Sequence, residues 1–278
     1  MTKKDRVLGS LVGFAIGDAM GATTEFMTAK EIRRKYNKLQ DIVGGGWLNL
    51  PAGAVTDDTQ MMLCVYRAIK DTVNHPERTL DEICVQFRAW ADTNPPDIGG
   101  ACYRAIYGSP TLKADDWVRA NSDRQNEAGI RDLGNGGLMR CLVPCLLGDK
   151  ELAVRQAFLT HTDPLQAMYA AMYYQLLQDA LVGVRVKDTM PHTEPTGHVQ
   201  NTLYNCEYWY KESDTFMEAI IGAVNDGGDA DTIAALTGGL AGAYYGFQAI
   251  PEHWVEALDP VVLCELMECA EFILDHSN

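Results

Sequence analysis

An all-α fold is predicted by three observations. Apolar residues recur at helical spacing along most of the chain, alternating β-branched runs bounded by turns are nearly absent, and no low-complexity linker divides the sequence. A length of 278 residues fits one large domain or two small ones. The missing linker favours a single multi-helix domain over 1–278.

The first expected helix, 5–20, follows a charged start (Met1-Thr2-Lys3-Lys4-Asp5-Arg6). Its apolar run invites comparison with a signal peptide, but Asp18 interrupts it and glycine punctuates it, so it reads as a buried soluble helix. Helices over 28–37 and 58–73 come next. In the latter Asp58 shares a face with Met62, Val65 and Ile69, which turns its carboxylate inward. Helices over 79–92 and 98–107 precede a polar stretch rich in turn formers, about 109–134, that reads as a long loop. A helix over 149–159 is followed by one over 164–182, opened by Thr162, Asp163 and Pro164. The segment 186–197, with Pro191, Pro195 and Gly197, reads as another loop. Helices over 196–211, 214–225, 231–246, 251–257 and 260–275 complete the chain.

Composition narrows the function classes. A hydrophobic content of 47% is enough for a sizeable core. The net charge of −15 argues against nucleic-acid backbone binding, which needs clustered Lys and Arg. It fits a soluble protein whose acidity is partly neutralised by bound cations. Among eight cysteines there is no CxxC pair, which suits a cytoplasmic protein with buried free thiols and no direct membrane insertion.

Two glycine stripes need a reason. Gly9, Gly13, Gly17 and Gly21 recur every four residues, as do Gly238, Gly242 and Gly246. Each interior helix glycine costs about 1 kcal/mol relative to alanine. At this spacing the glycines share one face, where another backbone can come close. The expectation is that the two helices cross closely and draw both ends of the chain into one site.

That site has candidate ligands. Thr56-Asp57-Asp58-Thr59 and Gly228-Asp229-Ala230-Asp231-Thr232 each set two carboxylates beside a hydroxyl, just before an apolar helix. Such hard oxygen donors suit Mg²⁺, Mn²⁺ or Ca²⁺. Taken singly, each cluster also fits a helix cap, because Asp and Thr are favoured there and gain from the macrodipole. The recurrence of the pattern favours a two-metal site.

Four segments, in order, carry a resemblance that covers nearly the whole chain. They are Gly17-Asp18-Ala19-Met20-Gly21 followed by Glu25; Ala54-Val55-Thr56-Asp57-Asp58-Thr59; Gly134-Asn135-Gly136-Gly137-Leu138-Met139-Arg140; and Gly227-Gly228-Asp229-Ala230-Asp231-Thr232. Together they resemble the ADP-ribosylglycohydrolase family. The run Gly44–Gly53 and the segment Pro96-Asp97-Ile98-Gly99 resemble its dinitrogenase reductase-activating branch, which removes ADP-ribose from arginine.

The resemblance implies an all-α fold with a dinuclear centre of two Mg²⁺ or Mn²⁺ ions in a cleft. The implied metal ligands are Thr56, Asp57, Asp58, Asp229, Asp231 and Thr232. Glu25 corresponds to the acidic residue guarding the cleft, and Asp97 to one facing the substrate; with Asp58 and Asp229 they make the expected catalytic set. Left unplaced, Glu25 reads as a surface residue and Asp97 as a helix cap. Substrate contacts are expected from Gly100, Asn135, Gly136, Met139, His161, Gly227 and Gly228. A substrate contact is also expected from His198, which stands where arginine-specific relatives often carry a tyrosine, a departure at the ligand rim. The implied reaction releases ADP-ribose from an arginine side chain of an ADP-ribosylated protein, dinitrogenase reductase being one candidate, by a monomeric enzyme. Serine-linked or O-acetyl-ADP-ribose hydrolysis, and non-catalytic ADP-ribose binding, are the alternatives.

Overall fold

The computed structural model describes residues 1–186 and 188–277; Lys187, in the expected 186–197 loop, and Asn278 lie outside it. Among the described residues there are fourteen α-helices, and β pairing is confined to isolated bridges. In order they are α1 (Lys3–Gly21), α2 (Ala29–Tyr36), α3 (Asp57–Asp71), α4 (Thr79–Ala91), α5 (Gly100–Gly108), α6 (Ala114–Ala128), α7 (Leu142–Leu146), α8 (Lys150–Arg155), α9 (Leu165–Leu181), α10 (Val199–Glu212), α11 (Phe216–Asp226), α12 (Ala230–Tyr245), α13 (Glu252–Ala257) and α14 (Pro260–His276). The all-α reading holds, with helix ends shifted by a few residues.

The closest helix pair is α1 with α12. Gly9 meets Gly242, Gly13 meets Gly238, Gly17 meets Ala234 and Gly21 meets Ala230. Advancing four residues on one helix retreats four on the other, so the pair is antiparallel and in backbone contact over about 18 Å. The stripes therefore do what their spacing suggested. Gly246 is an exception: it lies just past α12 with φ 83°, ending the helix. Arg6 secures this end by donating to the carbonyls of Ala180, Ala243 and Tyr244. A large apolar cluster surrounds the pair, with Phe14, Ile16, Tyr173, Phe216 and Leu240 fully enclosed or nearly so. A smaller one packs α3, α4, α5 and α6 around Phe87 and Trp117.

The expected loop over 109–134 is wrong in its middle, where α6 runs for 15 residues. Its inward positions are Ala114, Trp117, Asn121 and Gln125, so half of its buried face is polar. Asn121 donates to Leu159 O at 2.7 Å and Gln125 to Asp132 Oδ2 at 3.1 Å. Hydrogen bonds replace the apolar stripe that periodicity detects, and the signal vanishes. The short α7 was also unanticipated, and the expected 149–159 helix breaks into α8 and a 3₁₀ turn, Ala157–Leu159.

Candidate metal centre and its cleft

The first acidic cluster is held from behind by Asp18, on α1. This carboxylate is fully buried and accepts from Thr56 N at 3.0 Å, Thr56 Oγ1 at 2.7 Å, Thr59 N at 3.0 Å and Thr59 Oγ1 at 2.5 Å. Thr56 is the N-cap of α3, its hydroxyl oxygen accepting from Asp58 N. Because its proton goes to Asp18, the Thr56 hydroxyl offers lone pairs, the orientation a cation ligand needs. Asp57 and Asp58 are then the first two residues of α3 rather than its caps, and Asp57 Oδ2 accepts from Gly99 N at 3.2 Å.

The second cluster is set by two glycines. Gly227 and Gly228 have φ of 78° and 63°, and a β-carbon on either would strike the carbonyl of Met27 or Pro195. They pair with the segment after α1: Phe26 N donates to Gly228 O at 2.7 Å, and Gly228 N to Met27 O at 2.8 Å. Asp229 is the N-cap residue of α12, but its side chain makes no bond to the helix backbone; its Oδ2 accepts from Asn135 Nδ2 at 2.5 Å. Thr232 Oγ1 lies 3.3 Å from Asp58 Oδ2, which joins the two clusters directly.

Glu25 is not a surface residue. It is 6% exposed, and Trp47 Nε1 donates to its Oε2 at 2.5 Å. Oxygens of Glu25, Asp229 and Asp231 lie within 4.8 Å of one another. Asp97 lines the same cleft and caps nothing, since α5 begins after Gly99.

This crowding of carboxylates has an electrostatic cost. Burial, followed by the charges of its neighbours, pushes Asp57 up to about 7, and Glu25 to about 8 despite the bond from Trp47. Burial takes Asp229 to about 6 and holds Asp58 and Asp231 well above the usual carboxylate range. Asp58 Oδ1 and Asp231 Oδ1 are buried with no hydrogen-bond partner. Orphaned acidic oxygens beside threonine hydroxyls are the donor set that divalent hard cations fit.

A pH dependence follows. Folded-state values raised above the unfolded ones stabilise the ion-free chain at low pH, and that contribution is lost as pH rises through the folded values. The melting temperature of the chelator-treated protein should therefore fall between about pH 5.5 and about pH 8.5, and Mn²⁺ should flatten the fall. Thermal scans over this range check it; a flat chelated profile would contradict it.

The floor of the cleft is backed by a buried cation and its hydrogen bonds. Arg140, fully buried, donates to Gly136 O, Gln156 and Thr160 Oγ1. Thr160 Oγ1, which accepts from Arg140, also lies 2.7 Å from His161 Nδ1, and the direction of that bond follows the imidazole tautomer. Burial, then the charges of Arg140 and Arg104, pull His161 down to about 3, so its ring is neutral at pH 7. Gly100, Asn135, Gly136, Met139 and His161 all line the cleft.

Three residues expected to contact substrate do not themselves line the cleft. His198 is absent from the cleft lining; it caps α10, with Nδ1 accepting from Gln200 N at 3.2 Å, and its backbone bridges to Gly134. Gly227 and Gly228 lie behind Asp229 and shape the backbone there. Conversely, Asp18, Trp47 and Arg140 have structural parts in the site that residue reasoning left unassigned. The one available signal was a lone carboxylate, Asp18, in an otherwise apolar helix.

The chain is similar to known proteins in both sequence and fold. The family model described as ADP-ribosylglycohydrolase matches residues 1–205 and 187–277. The ADP-ribosyl-[dinitrogen reductase] glycohydrolase of Rhodospirillum rubrum is 34% identical over 97% of this chain and 96% of its own. The ADP-ribosylarginine hydrolase Tri1 of Pseudomonas putida (strain GB-1) is 29% identical over 91% of this chain and 74% of its own. A solved structure titled as an ADP-ribosylglycohydrolase-related protein complex superposes with a TM-score of 0.77, 28% identity and 99% coverage of both chains.

Proposed function

Because this chain belongs to the ADP-ribosylglycohydrolase family, we propose that it is a metal-dependent hydrolase that removes ADP-ribose from an arginine side chain of a modified protein. The observation that carries this reading is the convergence of Asp57, Asp58, Asp229 and Asp231 in one cleft, with two of their oxygens buried and unpartnered. Thr56, Asp57, Asp58, Asp229, Asp231 and Thr232 would hold two Mg²⁺ or Mn²⁺ ions, which supply Lewis acidity and a lowered water pKa. His161 faces the cleft, where it would meet ribose or pyrophosphate oxygens, while the Asn135 side-chain amide, donating to Asp229 and Thr202, would hold Asp229 in position. Glu25, its carboxyl steadied by Trp47, would hold a proton for the leaving nitrogen. In the balanced reaction the C1″–N bond breaks, the water oxygen joins C1″, and a proton reaches the guanidine. Glu25 and Asp97 at the same opening suit a cationic leaving group, and the named relatives that act on ADP-ribosylarginine or dinitrogen reductase support this choice.

Chromatographic release of ADP-ribose tests the reading on an arginine-modified protein, a serine-modified peptide and O-acetyl-ADP-ribose, with Mn²⁺ or chelator. Release from arginine should be fastest and stop with chelator. Preferential release from serine, or turnover indifferent to chelator, would overturn it.

A further inference from the structure

Two large aromatic side chains stand in solvent beside the guarding carboxylate. Phe26, next to Glu25 in the chain, is 67% exposed and lines the cleft; Trp47 is 52% exposed, with ring centroids 5.4 Å apart and an interplanar angle of 55°. Isolated exposed apolar residues need no explanation, but this pair is built. Phe26 has φ 60°, a left-handed conformation that is a genuine outlier for a bulky residue. Its amide is tied to Gly228 O, and Thr24 Oγ1, two residues earlier, to Val224 O at 2.6 Å. Backbone strain held by such bonds at a site's edge points to a use for the side chain.

Trp47 is equally fixed. Its indole bond to Glu25 sets the ring, and its loop turns through Gly44, Gly45 and Gly46, all at positive φ, with Gly45 and Leu50 exchanging backbone bonds at 2.7 and 2.9 Å. The result is a rigid aromatic lip on a cleft whose opening also carries Glu25 and Asp97.

Resting on the arginine reading above, we propose that this lip is the specificity element for the leaving group: the planar guanidinium of the modified arginine lies on Phe26, with Trp47 backing the ring. An aromatic face attracts a cation through its quadrupole, and the neighbouring Asp97 carboxylate would add a charge-assisted hydrogen bond at the guanidinium edge. A serine hydroxyl leaving group, neutral and not planar, gains from neither. The lip thus separates the two linkages, while the floor of the cleft, blind to the leaving group, holds the ADP-ribose moiety common to both.

Phe26→Leu keeps apolar bulk and removes the ring; Phe26→Trp keeps a ring. Steady-state kinetics on ADP-ribosyl-arginine, with ADP-ribose as product inhibitor, separate the parts of the site. Phe26→Leu should raise KM for ADP-ribosyl-arginine about tenfold, leave the ADP-ribose inhibition constant within about twofold, and narrow the preference over an ADP-ribosyl-serine peptide. Phe26→Trp should stay near the parent on all three. An unchanged KM in Phe26→Leu, with the parent enzyme active on ADP-ribosyl-arginine, overturns the lip alone. A parallel rise in the ADP-ribose constant also overturns it, since ADP-ribose has no guanidinium. No turnover of ADP-ribosyl-arginine by the parent removes the arginine reading and the lip with it.

Discussion

Asp231→Asn should lower turnover about a thousandfold and leave the fold intact. Asp231 is 2% exposed at the start of α12, and its Oδ1 has no hydrogen-bond partner. Burial, then the charges of Glu25, Asp58 and Asp229, make its ionised form costly without a cation. A bound divalent ion is worth several kcal/mol to a developing transition state, and each 1.4 kcal/mol is about tenfold in rate. Losing one anionic ligand from a crowded set forfeits much of that. The same change relieves repulsion in the ion-free protein, because a neutral amide replaces a buried carboxylate of equal shape. Turnover and stability should therefore move apart. The chelated variant should melt at or above the parent temperature, while the rise in melting temperature on adding Mn²⁺ disappears. Calorimetry with and without Mn²⁺, beside an ADP-ribose release assay, reads both. Full activity in Asp231→Asn would remove this residue from the metal centre, and collapse in chelator would show that its part is structural.

The legible portions of this protein share a physical property. The glycine stripes, the two Asp-Asp clusters and most helices are written in residues whose neighbours in space are also periodic neighbours in sequence. Gly13 and Gly17 face the same way because a helix turns every 3.6 residues, and nothing remote is needed to say so. The site residues that stayed hidden, Trp47 and Arg140, act through partners far away or of the wrong chemical class to notice. Trp47 reaches Glu25 across 22 positions, and Arg140 finds no carboxylate but three carbonyl or amide oxygens and a hydroxyl. Helix α6 was hidden for a related reason, its inward face being half amide. His198 shows a demand that its residue type alone did not reveal: it starts a helix, and its Nδ1 accepts from an otherwise unsatisfied backbone amide.

Gly21→Ala and Gly9→Ala should both destabilise the protein, yet only the first should weaken Mn²⁺ binding, by tenfold or more. Elsewhere in a helix the change from glycine to alanine is favourable by about 1 kcal/mol. Here the added carbon meets backbone, which cannot rotate away. At Gly9 it would lie 2.5 Å from Gly242 O and 2.6 Å from Phe247 N; at Gly21 it would lie 2.5 Å from Asp231 Cα and 2.6 Å from Asp231 N. Relief requires α1 and α12 to part, and overpacking of this kind costs about 1–3 kcal/mol or more. At about 2–4 °C per kcal/mol for a chain of this size, either variant should melt several degrees lower. The position of the wedge decides the rest. At Gly9 it opens the end of the helix pair far from the clusters, and the antiparallel contact isolates the damage. At Gly21 the displaced atoms are those of Asp231 itself, and a shift of about 1 Å in a group that must meet a cation is costly out of proportion to its strain. Gly108→Ala, at an exposed helix end where an added carbon would meet only the flexible tip of Arg124, at 3.4 Å, is the control and should be neutral or stabilising. Melting curves and Mn²⁺ titration by the paramagnetic signal of the free ion test all three variants. Equal Mn²⁺ affinity in Gly21→Ala and Gly9→Ala would mean that helix contact sets stability alone; a selective loss at Gly21 would mean that the glycine stripe is what brings Asp231 to Asp58.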